Sequence, residues 1–197
     1  MNFLAHAYLS FGNSGLTIGN LISDFVKGNK RYDFPTDIQK GITLHREIDS
    51  FTDSSEITKE AKEIFRANYR LYSGAFIDVV YDHFLANDIN EFSGHSLFDF
   101  SQQVYRILDQ QIETLPERFQ RLYPYMKEQN WLYGYRERKM VAQSFRGLVS
   151  RSKYMSESQT AFKLFEEHYE SLEMHYQNFF PTVKHYAKQR AELLLAS

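Results

Sequence analysis

From Ile38 to Asp49 the chain sets core-forming residues and reactive ones on a single stripe. Ile38, Ile42, His45 and Asp49 are spaced by four, three and four positions, so they share one helical face. Along that face the residue type changes from isoleucine to imidazole and carboxylate. An unpaired carboxylate facing inward costs on the order of several kcal/mol, so a metal, a cation or hydrogen-bond donors must meet Asp49. The same device appears twice more. Leu16, Asn20 and Asp24 share a face opposite Ile18, Leu21, Ile22 and Phe25, and Asp82-His83 is embedded among buried residue types in Ile77–Leu85. Adjacent helical side chains diverge by about 100°, so Asp82 and His83 need not both be ligands, and one can orient the other.

With His6 added, His6, Asp24, His45, Asp49, Asp82 and His83 form a nitrogen-and-oxygen donor set spread over several helices. Helical bundles build metal centres in their cores in this way. The chain has no cysteine, which excludes a disulfide framework, a thiolate metal site and a cysteine nucleophile. Mixed imidazole and carboxylate ligation suits Mn²⁺, Mg²⁺, Fe²⁺ or Zn²⁺; Mn²⁺ is the first expectation, with Mg²⁺ or Fe²⁺ behind it. Taken singly, each residue reads as a satisfied core histidine or a helix cap, and the joint pattern is what points to a metal. A di-iron carboxylate centre is disfavoured, because paired Glu-x-x-His ligands on matching helices are not visible and Glu167-His168 has the wrong spacing.

The elements that position these residues read as helices throughout. Apolar residues recur at helical rather than alternating spacing, and the fold class expected is all-α, one compact helical bundle and a single domain over residues 1–197. Helices are expected at Phe3–Leu9, from Leu16 to a Lys27-Gly28-Asn29 stop, from Thr36 through Asp49 to Thr52, and at Gly74–Ala86. Asp53-Ser54-Ser55 caps an amphipathic helix with Ile57, Ala61, Ile64 and Phe65 on one face. Further helices are expected over Leu97–Thr114, Pro116–Glu128, Tyr133–Val149 and from Ser156 onward, the last kinked near Pro181. The 17 Phe and 14 Tyr imply a core of large rings, and the stripe Phe162, Phe165, Tyr169 and Leu172 belongs to it.

Charge and length exclude other classes. The formal net charge of -2 provides no global basic field, so nucleic acid is not an expected partner. No apolar stretch approaches the roughly 20 residues of a membrane span. The opening residues Met1–His6 lack the basic segment and apolar run of a secretory signal, and the expected location is cytoplasmic.

Several segments together resemble the acyl carrier protein phosphodiesterase family. They are Asn2-Phe3-Leu4-Ala5-His6; Gly19-Asn20-Leu21 with Asp24-Phe25-Val26-Lys27-Gly28; Gly41-Ile42 with His45-Arg46 and Ile48-Asp49; Phe51-Thr52-Asp53; and Asp78 with Tyr81-Asp82-His83-Phe84-Leu85. A looser likeness continues through Trp131-Leu132, Tyr135-Arg136 and Gly147-Leu148. The family is similar to HD-type metal phosphohydrolases in its helical fold and clustered His and Asp ligands. The resemblance implies hydrolysis of the phosphodiester between 4'-phosphopantetheine and a serine of holo-acyl carrier protein, with Mn²⁺ as the usual metal. On that reading Asp24, His45, Asp49 and Asp82 form the metal shell. Arg46 and Lys27 are candidates to hold phosphate oxygens, and His6 or His83 to protonate the leaving serine oxygen. Asp53 and Asp78 read either as groups that orient the ligands or as caps, with caps preferred. Carrier proteins of this kind are strongly acidic, so the basic run Arg136, Arg138, Lys139, Arg146, Arg151 and Lys153 is a candidate docking face. The competing readings are a phosphohydrolase of nucleotides or other small diesters, and a non-catalytic helical binding module.

Overall fold

The computed structural model describes residues 1–92 and 96–197, and among them there are twelve α-helices, four 3-10 segments and no strand. The helices are α1 (Phe3–Tyr8), α2 (Ser14–Ile22), α3 (Thr36–Ser54), α4 (Glu56–Tyr69), α5 (Ser73–Asn87), α6 (Ile89–Phe92), α7 (Leu97–Asp109), α8 (Glu117–Glu128), α9 (Trp131–Gly134), α10 (Arg138–Arg151), α11 (Gln159–Glu167) and α12 (Tyr169–Ala196). The all-α expectation holds. Among the described residues no helix is long and apolar enough to cross a membrane.

Local chemistry explains where the helices begin and end. Asn13 caps α2 by accepting from the Leu16 amide, and Ser55 caps α4 by accepting from Thr58, in the segment where a cap was expected. α2 stops at Ile22, short of the expected Lys27, because the chain tightens into a 3-10 turn at Ser23–Phe25. Gly28 then takes a positive φ of 56°, the left-handed conformation that glycine adopts at little cost. The helix expected over Tyr133–Val149 is two helices, α9 and α10, interrupted at residues 135–137. The segment from Ser156 onward is likewise divided, at His168. Pro181 lies within α12 and does not end it; it and Gln177, whose carbonyl loses a donor, are both exposed, so water can meet that carbonyl.

Two contacts fix the part of the fold that matters for chemistry. α2 and α3 pack main chain against main chain: a Cβ added at Gly19 would fall 2.1 Å from the Ile38 carbonyl oxygen and 2.7 Å from the Gly41 Cα. A Cβ at Gly41 would fall 2.6 Å from the Leu16 carbonyl oxygen. Only glycine fits at either position, and the close approach brings Asn20 and Asp24 to His45 and Asp49. The second contact comes from α5, whose buried Asp82 accepts the amides of Asn2, Leu4 and Ala5 at 3.3, 2.7 and 3.1 Å. A carboxylate at the N-terminus of α1 satisfies amides that lack intrahelical partners, and so fixes the helix that carries His6.

The aromatic core packs behind these elements. Phe65, Phe76, Phe145 and Phe165 are fully buried, with Phe76 edge-on to Phe145 at 4.8 Å between ring centres. Each such ring contributes about 1.5–3 kcal/mol through burial. In the expected stripe Phe165 and Leu172 are buried, and Phe162 and Tyr169 are half-buried against the core.

Candidate metal centre

α1 contributes His6, and α3 contributes His45 and Asp49 one turn apart. The two imidazoles stack at 3.9 Å between centres with their planes 17° apart. Their Nε2 atoms both face Asp49: His6 Nε2 lies 3.2 Å from Oδ1, and His45 Nε2 lies 3.1 Å from Oδ2. One donor atom from each of the three residues fits within 4.8 Å of the others. Asp24, with a side chain 80% exposed, places Oδ1 3.3 Å from His45 Nε2 and so sits at the mouth of the cluster.

The ring orientations are set from the far side by one residue. Asn20 Oδ1 lies 2.8 Å from His6 Nδ1, and the Asn20 backbone carbonyl lies 2.7 Å from His45 Nδ1. A carbonyl oxygen only accepts, so His45 Nδ1 carries the proton. Asn20 Nδ2 donates to the His6 carbonyl at 2.9 Å and to Ser10 Oγ at 3.0 Å, which fixes its amide orientation and makes His6 Nδ1 a donor too. In the neutral rings both Nε2 lone pairs therefore face Asp49. This is the arrangement in which histidine ligates a metal, the other nitrogen donating to a carbonyl.

His6 Nε2, His45 Nε2 and Asp49 Oδ1 are buried without a hydrogen-bond partner, a costly state for three neighbouring polar atoms. Two nitrogens and a carboxylate, with a second carboxylate at the mouth, are a donor set that fits a first-row divalent cation. The same groups are coupled to one another in their protonation. Burial opposes a charge on His45, yet the Asp24 and Asp49 carboxylates facing its Nε2 raise it to about 9. Burial together with repulsion from His45 lowers His6 to about 4. Burial disfavours the Asp49 carboxylate, but the two histidines facing it hold it well below the usual carboxylate range. Asp24 is lowered, chiefly by the His45 imidazole beside it. The Met1 ammonium, buried beside the cluster, donates to Asp78 at 2.8 Å and lies 3.5 Å from Asp49 Oδ1. Burial works against its charge and the Asp78 and Asp49 carboxylates outweigh it, raising it to about 10.

The structure thus brings together Asp24, His45 and Asp49 from the expected shell and adds His6, which was expected as a proton donor. Asp82, expected as a ligand, is instead committed to the α1 amides; burial pushes its carboxyl up to about 7 against their pull. His83 is also held elsewhere. Its Nδ1 donates to the Tyr135 carbonyl at 2.7 Å and its Nε2 accepts from the Tyr169 hydroxyl at 2.9 Å, leaving no ring proton for a leaving group. Arg46, exposed, donates to the Val26 carbonyl at 3.2 Å, and exposed Lys27 is the next residue along. Asp53, expected as a cap, pairs with Lys62 at 2.7 Å. Asp78, also expected as a cap, holds the Met1 ammonium. Of the basic docking run, Arg136 lies over the Tyr133 ring, Arg138 pairs with Glu166 at 3.0 Å and Lys139 with Glu137 at 2.6 Å. Arg146 and Arg151 open onto a cavity beside the cluster. Sequence reasoning did not assign the role of Asn20. Its place on the Asp24 face was the available signal, but its service to two rings on two other helices is a tertiary fact.

Comparison with known proteins follows the same line. The family model described as acyl carrier protein phosphodiesterase matches residues 1–183. The chain is 35% identical over 191 residues to the acyl carrier protein phosphodiesterase of Yersinia pestis, a match covering 96% of this chain and 99% of that one. It is 33% identical over 196 residues to the protein of the same name from Escherichia coli O6:H1 (strain CFT073), covering 97% and 100%. It is 30% identical over 193 residues to that of Photorhabdus laumondii, covering 98% and 96%. No solved structure matches the chain.

Proposed function

This chain belongs to the acyl carrier protein phosphodiesterase family, and from that premise we propose that it is a cytoplasmic, metal-dependent phosphoric diester hydrolase, one catalytic domain over residues 1–197. Its substrate is holo-acyl carrier protein. Water attacks phosphorus, the bond from phosphorus to the serine oxygen breaks, and that oxygen takes a proton, giving apo-acyl carrier protein and 4'-phosphopantetheine.

The observation that carries this reading is the convergence of His6 Nε2, His45 Nε2 and Asp49 Oδ1, buried and without hydrogen-bond partners. These three residues would hold the cation, Mn²⁺ for preference, with Asp24 closing the shell at the mouth. When bound, a divalent cation supplies Lewis acidity at the phosphoryl oxygens and hydrolytic power at neutral pH. The chain's own groups do the rest. Asn20 holds both imidazoles with Nε2 turned to the centre. Arg46 has guanidinium N–H groups beyond the one bonded to Val26, and with Lys27 it supplies charge-assisted donors for the remaining phosphate oxygens. His6 acts as a ligand, because its proton-bearing nitrogen is committed to Asn20.

The test is release of 4'-phosphopantetheine from holo-acyl carrier protein, followed by mass spectrometry, with Mn²⁺, after chelation, and after Mn²⁺ is restored. Turnover should disappear on chelation and return with the metal. Cyclic and linear nucleotides run in parallel address the rival substrate class. Exclusive turnover of nucleotides defeats the carrier-protein reading, and undiminished turnover after chelation defeats the metal.

A further inference from the structure

A cavity of about 760 Å³ lies against the cluster, bounded by α1, the Ser23–Phe25 turn, α5, α8, α9 and α10. It shares two residues with the metal centre: Asp24, which touches His45, and Met1, whose nitrogen approaches Asp49. Burial gives it a depth axis. Met1, Val79 and Tyr135 are buried and form the floor; Phe3, Phe25, Trp131, Met140 and Leu148 are half-buried and form the walls. Arg118, Arg146 and Arg151 are exposed and form the rim. Arg121, Arg138 and Arg190 are each paired with a carboxylate, whereas these three have no carboxylate partner among the described residues.

We propose that the cavity receives the phosphopantetheine arm and that its arginine rim receives carboxylates on the protein surface flanking the modified serine, an assignment that rests on the hydrolase reading above. A diester with its phosphorus at the cluster has two substituents to place. The arm is long, slender and uncharged beyond its phosphate, and it carries two amides. A deep site with apolar walls and a few amide and hydroxyl groups, here Asn2, Gln143 and Ser144, suits it. The volume lies within the range of roughly 300–1,000 Å³ typical of small-molecule sites. The arm offers no anion to three guanidinium groups, so their partners must come from the macromolecule that carries it. The arginines project from two helices, α8 and α10, and so can grip an acidic surface from both sides while the arm reaches down between them.

The two parts are tested by steady-state kinetics on holo-acyl carrier protein and on bis(4-nitrophenyl) phosphate, a diester lacking both arm and carrier. The triple reversal Arg118→Glu, Arg146→Glu, Arg151→Glu should raise KM for the holo-carrier by about tenfold or more, and flatten the dependence of KM on ionic strength. The loss should be several times larger for the holo-carrier than for the small diester. Filling the cavity with Leu148→Trp, and separately with Met140→Trp, should cut kcat/KM for the holo-carrier by about tenfold with the same bias. Circular dichroism confirms folding of each variant. A holo-carrier KM within twofold of wild type in the triple variant overturns the rim, and full turnover in both tryptophan variants overturns the arm site. Wild-type protein that releases no phosphopantetheine overturns the hydrolase reading itself, and this assignment with it.

Discussion

The stripe on α3 and the Asp82-His83 pair on α5 look alike as sequence, each a carboxylate and an imidazole among apolar residues, yet they do opposite things. Every polar atom of the α5 pair near the core is spoken for: Asp82 by three amides, His83 by Tyr135 and Tyr169. On α3 His45 Nε2 and Asp49 Oδ1 are left without a hydrogen bond, as is His6 Nε2 across from them. The difference separates a scaffold from a centre. Buried polar groups that are satisfied hold helices in place; those left open are poised for something the chain does not itself contain.

The contrast breaks most visibly at Asp49. Asp49→Ala should lower kcat for phosphopantetheine release by about a thousandfold, equivalent to roughly 4 kcal/mol, and abolish metal content read by elemental analysis. A folded Asp49→Ala protein that retains activity removes the distinction altogether. Asn20→Leu comes next: without the side-chain acceptor for His6, metal affinity should weaken about 10–100-fold in a competition titration, with kcat partly recovered at saturating metal. Asn20→Asp, which keeps an acceptor facing His6 Nδ1, should retain more affinity than the leucine variant. On the scaffold side, Asp82→Ala strands the amides of α1 and should cost about 1–3 kcal/mol in urea unfolding. If Asp82→Ala instead stripped the metal without loss of stability, the two regions would have to exchange roles.

The smallest expected effect lies in the pH dependence of stability. Burial lowers the folded-state pKa of His83 below the ordinary value of 6.5. Below that pH the unfolded chain takes up a proton that the folded protein resists, so stability falls as pH falls. His83→Gln removes this one group, and should flatten the loss of stability between pH 6.5 and 5 by at most about 1.4 kcal/mol per pH unit. Urea midpoints at several pH values measure it, and an unaltered slope would place the imidazole in a solvated setting.

How much of this was legible follows from the range of the interactions. The stripe Ile38, Ile42, His45, Asp49 was legible because periodicity within one helix determines which residues face inward. The Ser55 cap needs only its own turn, and its segment was identified as a cap. Asp82 was expected at the metal because a carboxylate that serves the N-terminus of a distant helix has the same sequence appearance as one that serves a metal. The break between α9 and α10 was hidden for a related reason. Tyr135, at the break, takes a hydrogen bond from Asn2 on its hydroxyl and from His83 on its carbonyl, and neither tie is visible in the local pattern. Asn20 shows both sides of this: its face was readable, whereas the two rings it aligns sit on helices that meet it only in the folded chain.

The glycine contact between α2 and α3 makes the centre intolerant of wear. The spacing of Asn20 and Asp24 from His45 and Asp49 is inherited from two main chains in van der Waals touch, with no side chain between them to be trimmed or swapped as compensation. A methyl group at Gly19 or Gly41 would act as a wedge, levering Asn20 and Asp24 away from His45 together. The spacing between the α2 and α3 sides of the centre is therefore tied to two residues that carry no chemistry at all.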